Sequence, residues 1–152
     1  MNAPFHGLRV IDLSDRLSGA FAARLFGDFG AEVVLAESPE GHALRGEPPF
    51  LEEVPGTERS VVHAYVNWNK RSIVVNREDE LAELVGSADI VITTTEGPRR
   101  PVLKHLRDDA VHVCITAHGL DDSLTGCPGN TLTHSARVGW SYINGYRDEP
   151  PL

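Results

Sequence analysis

Three consecutive segments decide how this chain is read: Leu8-Arg9-Val10-Ile11-Asp12-Leu13, the stretch Ser18 to Phe29, and Ala31-Glu32-Val33-Val34-Leu35-Ala36-Glu37. The first and third are short apolar runs of the kind that form strands buried on both faces. Between them Phe21, Ala22, Leu25, Phe26 and Phe29 recur at helical spacing. Ser18 is placed to cap the helix start, and Gly27 or Gly30 to end it. A βαβ unit this early predicts an open parallel sheet with a ligand crevice at the carboxyl ends of its strands.

Working outward, Arg71-Ser72-Ile73-Val74-Val75 predicts a third strand, Ala88 to Thr93 a fourth and Ala110 to Thr116 a fifth. Glu78 to Val85 reads as a helix with Leu81, Leu84 and Val85 on one face. Val102 to Leu106 reads as a helical turn or two, and Leu132 to Ile143 as a helix. Val61 to Val66 fits a short helix or a strand. Residues 38–60 form a long Pro/Gly/Glu-rich loop, a length that points to function or mobility inside a compact domain. Strands alternating with helices give an α/β class: one domain over residues 1–152, with a Rossmann-like, mostly parallel sheet, flanking helices and right-handed crossovers.

The 152 residues carry a net charge of −8, which argues against a general nucleic-acid surface. A local basic pocket on such a protein can still hold an anion. The adjacent basic pairs are Lys70-Arg71 and Arg99-Arg100, a pattern that usually marks solvated surface. Cys114 lies in an apolar run and reads as a small core residue. Cys127 lies in a Gly/Pro loop and reads as an exposed thiol. Neither has the spacing of a zinc site, so no metal is expected. Without a disulfide framework, a leader pattern at Met1-Asn2-Ala3-Pro4 or an apolar run of membrane-spanning length, the expected setting is the cytoplasm, away from any membrane.

A dinucleotide site would need G-x-G-x-x-G after the first strand. The turn here is Asp15-Arg16-Leu17-Ser18-Gly19-Ala20, with a single glycine. Glu37 stands where a ribose-binding acid would stand, which alone is weak support.

Four blocks carry a more specific likeness: Gly7 to Ser14, Gly30-Ala31-Glu32-Val33-Val34 through Glu37, Asn67-Trp68-Asn69-Lys70-Arg71-Ser72-Ile73, and Ala88 to Ile92. In order and spacing they resemble the N-terminal part of the family III CoA-transferases, which include formyl-CoA and carnitine CoA-transferases and share their fold with α-methylacyl-CoA racemases. The fold is then incomplete relative to the full family fold. The resemblance implies an interlocked homodimer or a partner chain carrying the rest. It implies coenzyme A or acyl-CoA, with carboxylic acids, as small-molecule partners. It places CoA over the first βα turn, here Arg16, Leu17 and Ser18, and over the loop after the second strand, where Arg45 is the nearest match to a phosphate-binding Arg. Asn69, Lys70 and Arg71 would line the nucleotide end. Phosphates want Arg forks, Lys charge and helix N-terminal N–H groups. The alternatives are that Arg45 is a solvated loop residue, that Asn67 and Asn69 only hold a turn, and that Arg71 only anchors to a carboxylate.

The family's nucleophile is an aspartate that attacks the acyl-CoA thioester to give a mixed anhydride, then an aspartyl-CoA thioester. It follows the segment matched by Gly145 to Pro151, so it is expected just beyond Leu152. No catalytic residue is assigned within the chain, and Asp148 precedes the Pro-Pro pair. The racemase branch uses a Gly-His-Asp histidine; here the segment is Gly129-Asn130-Thr131, and Asn cannot carry that proton. His134 reads as an ordinary boundary residue. Further departures are Gly19-Ala20 for the family's Gly-Pro, and Thr93-Thr94-Thr95 for a polar-aromatic pair. Three readings follow: a CoA-transferase portion inactive alone, a non-catalytic module that keeps the fold, or a small dinucleotide binder.

Overall fold

The computed structural model describes residues 3–94, 100–120, 123–146 and 148–149. The chain divides into two compact units, Met1–Ile115 and Thr116–Leu152. The first holds a five-stranded parallel sheet in the order β3-β2-β1-β4-β5, formed by β1 (Arg9–Leu13), β2 (Glu32–Glu37), β3 (Arg71–Val74), β4 (Ile90–Thr94) and β5 (Val111–Ile115). Val10 of β1 lies opposite Val33 of β2 and Ile90 of β4. The order reverses between β1 and β4. That is the switch point where an open α/β sheet leaves a crevice beyond its carboxyl ends.

Alternation along the strands divides the core between the two faces of the sheet. On one, Ile11, Leu13, Val34, Ala36 and Val91 pack with Leu81 and Val85 of α3 (Glu78–Gly86) and with Val102 of the 3-10 helix Arg100–His105. On the other, Val10, Val33 and Ile92 pack with Ala23 of α1 (Leu17–Asp28), flanked by Phe5, Leu8 and Phe26. Right-handed crossovers that run in opposite directions along a sheet put their helices on opposite faces. β1-α1-β2 moves one way and β3-α3-β4 the other, so α1 and α3 fall where this rule requires.

The fully buried residues of α1 are the small ones, Gly19, Ala20 and Ala23, while Phe26 packs at their margin and Phe21 and Leu25 stay exposed. Small residues let the helix sit close to the end of β1, where a Cβ on Gly19 would overlap the Ser14 side chain. Ser18 does not cap this helix. Arg16 holds the N-cap position and no side chain caps it. Gly30, with φ +96°, makes the turn into β2.

Val61–Val66 is helical (α2), because the Ser60 hydroxyl accepts from the His63 N–H at 3.1 Å and caps it. The 38–60 segment contains 3-10 turns at Ala43–Gly46 and Leu51–Glu53 and a bridge between Phe50 and Ser60. The Arg59 guanidinium donates to the carbonyls of Leu51 and Val54, which gathers the loop onto itself. β3 and β5 are the sheet edges, with Val74 and Val111 exposed. Cys114 on β5 is half-buried.

In the second unit, the expected single helix is two: α4 (Thr131–Arg137) and α5 (Trp140–Ile143). Gly139, at φ +78°, breaks them with a left-handed backbone that a β-carbon disfavours. Asn130 and Thr133 form a reciprocal capping box at the start of α4. Leu132, Val138, Trp140, Tyr142 and Ile143 are exposed. Cys127 is exposed, as its loop setting predicts. Among the described residues, no helix is long and apolar enough to cross a membrane.

Helix propensity alone would favour Gly19→Ala. The overlap with Ser14 reverses the sign: the variant is expected to lose about 1–3 kcal/mol, read as a lower urea midpoint. A midpoint at or above wild type would contradict the close approach.

Candidate functional site

Near the end of β1 stands a buried aspartate whose two oxygens do different work. Asp12 Oδ1 accepts from the Ser14 N–H at 3.0 Å and the Ser14 hydroxyl at 2.6 Å, which folds the chain back immediately after the strand. Asp12 Oδ2 accepts from Lys70 Nζ at 2.8 Å. The other two ammonium protons go to the Ala20 carbonyl at 2.7 Å and Asn67 Oδ1 at 2.8 Å. The Lys70 and Asp12 side chains are 1% and 0% exposed. Burial pulls the Lys70 ammonium below its ordinary range, and the Asp12 carboxylate pulls it back.

A second polar cluster stands at the end of β2. Arg45 grips Glu37 bidentately, Nε to Oε2 at 2.7 Å and Nη2 to Oε1 at 2.8 Å. The His42 N–H and the Ser72 hydroxyl donate to the same carboxylate. The Arg45 fork, above all, holds the Glu37 carboxyl down to about 2. Arg45 also reaches Glu58 at 2.7 Å, so it ties the 38–60 loop to the sheet. It is neither solvated nor free. With four donors on its two oxygens, Glu37 has little left for ribose hydroxyls, which removes the main support for a dinucleotide reading.

His42 joins the two clusters. Its Nδ1 accepts from the Leu44 N–H at 3.1 Å, so Nε2 carries the proton and donates to the Ser14 carbonyl at 2.9 Å. Burial lowers the His42 pKa, opposed by the Ser14 carbonyl and by Asp12 and Glu37. His63 lies against it, ring to ring at 5.7 Å, and burial takes His63 to about 4. His63 Nε2 is buried without a hydrogen-bond partner among the described residues. The first βα turn and the loop after β2 are therefore one connected structure.

Above this floor lies the N-terminus of α1. Arg16, Leu17 and Ser18 are exposed there. The N-cap side chain makes no capping bond there, and a helix that starts just beyond the carboxyl end of β1 places its first turn where an anion is suited. Arg16 stands beside Asp15 at 3.7 Å. Across the switch point, the Thr94 hydroxyl donates to Asp15 Oδ1 at 2.5 Å, and the Thr93 hydroxyl is paired with His112 Nε2 at 2.8 Å. Thr95 lies outside the described residues. Ala20 uses its N–H to close the first turn onto the Arg16 carbonyl at 3.1 Å, a bond a proline there could not make.

The remaining expected site residues lie elsewhere. Asn69, at φ +65°, donates to Asp28 Oδ1 at 3.0 Å near the C-terminus of α1. Arg71 opens β3 and reaches Glu32, the first residue of β2, at 3.3 Å. Both stand at the amino ends of the strands, away from the crevice. Asn67 returns a bond to the His63 carbonyl, so the two asparagines hold the α2–β3 turn. Lys70, although half of a basic pair, is turned inward, where Asp12, the Ala20 carbonyl and Asn67 take its three protons. The structure thus brings Arg16, Leu17 and Ser18 together, and uses Arg45 and Lys70 beneath them. Asp12, Ser14 and His42 form the polar floor beneath that turn, with nothing in the sequence to mark Ser14 or His42, and Glu37, which stands in sequence where a ribose-binding acid would, is instead spent on Arg45, His42 and Ser72. The signal available in the sequence is an acid at or next to the end of each of the first two strands, Asp12 and Glu37. Among the described residues there is no cluster of three or more His, Cys, Asp or Glu arranged for a metal.

A carboxylate held below its ordinary value of 4.5 stabilises the fold above that value, and the stabilisation is lost as pH falls toward about 2. Urea unfolding between pH 5 and pH 2 is expected to show this loss, up to about 3 kcal/mol for Glu37. In Glu37→Gln that portion of the acid dependence disappears, together with part of the stability at neutral pH. An unchanged slope in the variant would contradict the assignment.

Comparison with known proteins shows the family and the fold. A family described as CoA-transferase family III matches residues 5–152. A subunit of succinyl-CoA:(R)-benzylsuccinate CoA-transferase from Thauera aromatica is 30% identical, over 100% of this chain and 40% of its own length. Cinnamoyl-CoA:phenyllactate CoA-transferase from Clostridium sporogenes is 36% identical, over 85% of this chain and 34% of its own. The crystal structure of a CAIB/BAIF family protein from Brucella suis superposes with TM-score 0.83 at 28% identity, over 100% of this chain and 43% of that one. The chain therefore spans well under half the length of these relatives. With a match over nearly all its residues and a shared α/β fold, the chain belongs to CoA-transferase family III.

Proposed function

We propose that this chain supplies the CoA-binding part of a family III CoA-transferase, and takes part in moving CoA between carboxylic acids. The observation that carries this reading is the uncapped, exposed N-terminus of α1 at the sheet's switch point, in a chain of this family. Arg16, Leu17 and Ser18 would meet the phosphates of CoA or acyl-CoA through first-turn N–H groups and the Arg16 guanidinium. Arg45 and Lys70 would act from below, by holding the loop and the turn. Asn69 and Arg71 have no contact role in this reading, since they stand at the other end of the strands.

The nucleophilic aspartate would come from further chain or from a partner copy. Support for such a covering comes from two exposed apolar sets, Leu17, Phe21 and Leu25 on α1 and Leu132, Val138 and Trp140 near the second unit's helices. A reducing cytoplasm fits the two unpaired cysteines.

Ser18→Glu separates binding from folding. A carboxylate in the first turn favours the helix but repels a phosphate at the same place. The variant is expected to match or exceed wild-type stability while its CoA affinity, by titration calorimetry, falls about tenfold or more. Undetectable CoA binding by the wild-type chain, or full affinity in Ser18→Glu, would overturn the proposal.

A further inference from the structure

We propose that Lys70 and Asp12 are positioning residues for the first βα turn, so that Lys70 governs anion binding at the α1 N-terminus without touching the anion. The inference rests on the CoA-binding reading above and gives its basic motif a different role. Lys70 has three ammonium protons and three acceptors: Asp12 Oδ2 on β1, the Ala20 carbonyl in α1 and Asn67 Oδ1 in the α2–β3 turn. None is left for a phosphate. Asp12 spends its other oxygen on the Ser14 N–H and hydroxyl, and the Ser14 carbonyl receives His42. One buried ammonium thus holds both ends of the turn that carries Arg16, Leu17 and Ser18. Lys70 fixes the helix end at Ala20, and Asp12 fixes the strand end at Ser14. Asp12 is fully buried and cannot reach a ligand itself, which gives the idea a clean control.

The test compares Lys70→Met, Asp12→Asn and their combination in the full chain, with CoA as the probe. Each single variant is expected to lose about tenfold or more in affinity, and the combination to lose little beyond either alone. In the ligand-free protein, amide exchange at Ser14 and Ala20 is expected to quicken relative to Val91 in β4. If Lys70→Met weakens CoA binding while Asp12→Asn leaves it intact, or if the losses add, Lys70 is a direct ligand and the proposal fails. If the wild-type chain does not bind CoA, the CoA reading falls. The exchange comparison then decides the clamp by itself. Should the core variants fail to fold, Asn67→Ala removes one acceptor only. Its expected result is a smaller, local quickening at Ser14 and Ala20, and unchanged exchange there would overturn the proposal.

Discussion

The buried pair between Asp12 and Lys70 is the constraint on which the rest of this unit depends. Two charges out of water are tolerated only when their remaining hydrogen-bonding capacity is satisfied, and here it is. Removing one member would strand the other in a dry interior, a loss of about 3–5 kcal/mol in comparable cases. The pair therefore makes the end of β1, the first turns of α1 and the α2–β3 turn a single piece. A pair of apolar residues could hold the same elements together. It could not orient a backbone turn through Ser14 and a helix carbonyl at the same time.

A second pair repeats the device one strand over. Glu37 ends β2 as Asp12 lies near the end of β1, and Arg45 comes back from the following loop as Lys70 comes back from the motif before β3. His42 couples them, with one ring nitrogen on each side of the junction. The charged residues near the crevice are thus mostly spent on each other. Beside them the first turn of α1 carries exposed Arg16, Leu17 and Ser18, with Arg16 next to Asp15, close to a switch point bridged by Asp15 and Thr94. The turn is thus tied down from beneath by buried hydrogen bonds, which suits a ligand whose charge is met by backbone dipoles.

The same economy explains α1. Its inner face is small, since the helix must come close enough for Lys70 to reach the Ala20 carbonyl and for Gly19 to clear Ser14. Phe26 packs at the margin of the core, while Phe21 and Leu25 lie outward and Phe21 stacks on Tyr65 with ring centroids 6.4 Å apart. Hydrophobic spacing alone picks out Phe26 correctly but misses that Gly19, Ala20 and Ala23 are the residues fully buried.

The sequence by itself determined the class, the strands and the family. Short apolar runs of strand length, alternating with helical periodicity, leave few ways to bury both faces of a sheet, and the Asn67 to Ile73 block is specific. Val61–Val66 needed the Ser60 cap to become helix, and Leu132 to Ile143 needed the left-handed Gly139 to become two helices. The tertiary structure alone decided which charges are already paired. Lys70 and Arg45 look like anion binders in sequence, where only residue type is visible. Their acceptors lie 58 and 8 residues away, on strands brought near only by folding. Charge is a property of the residue, but its availability depends on who else is buried beside it.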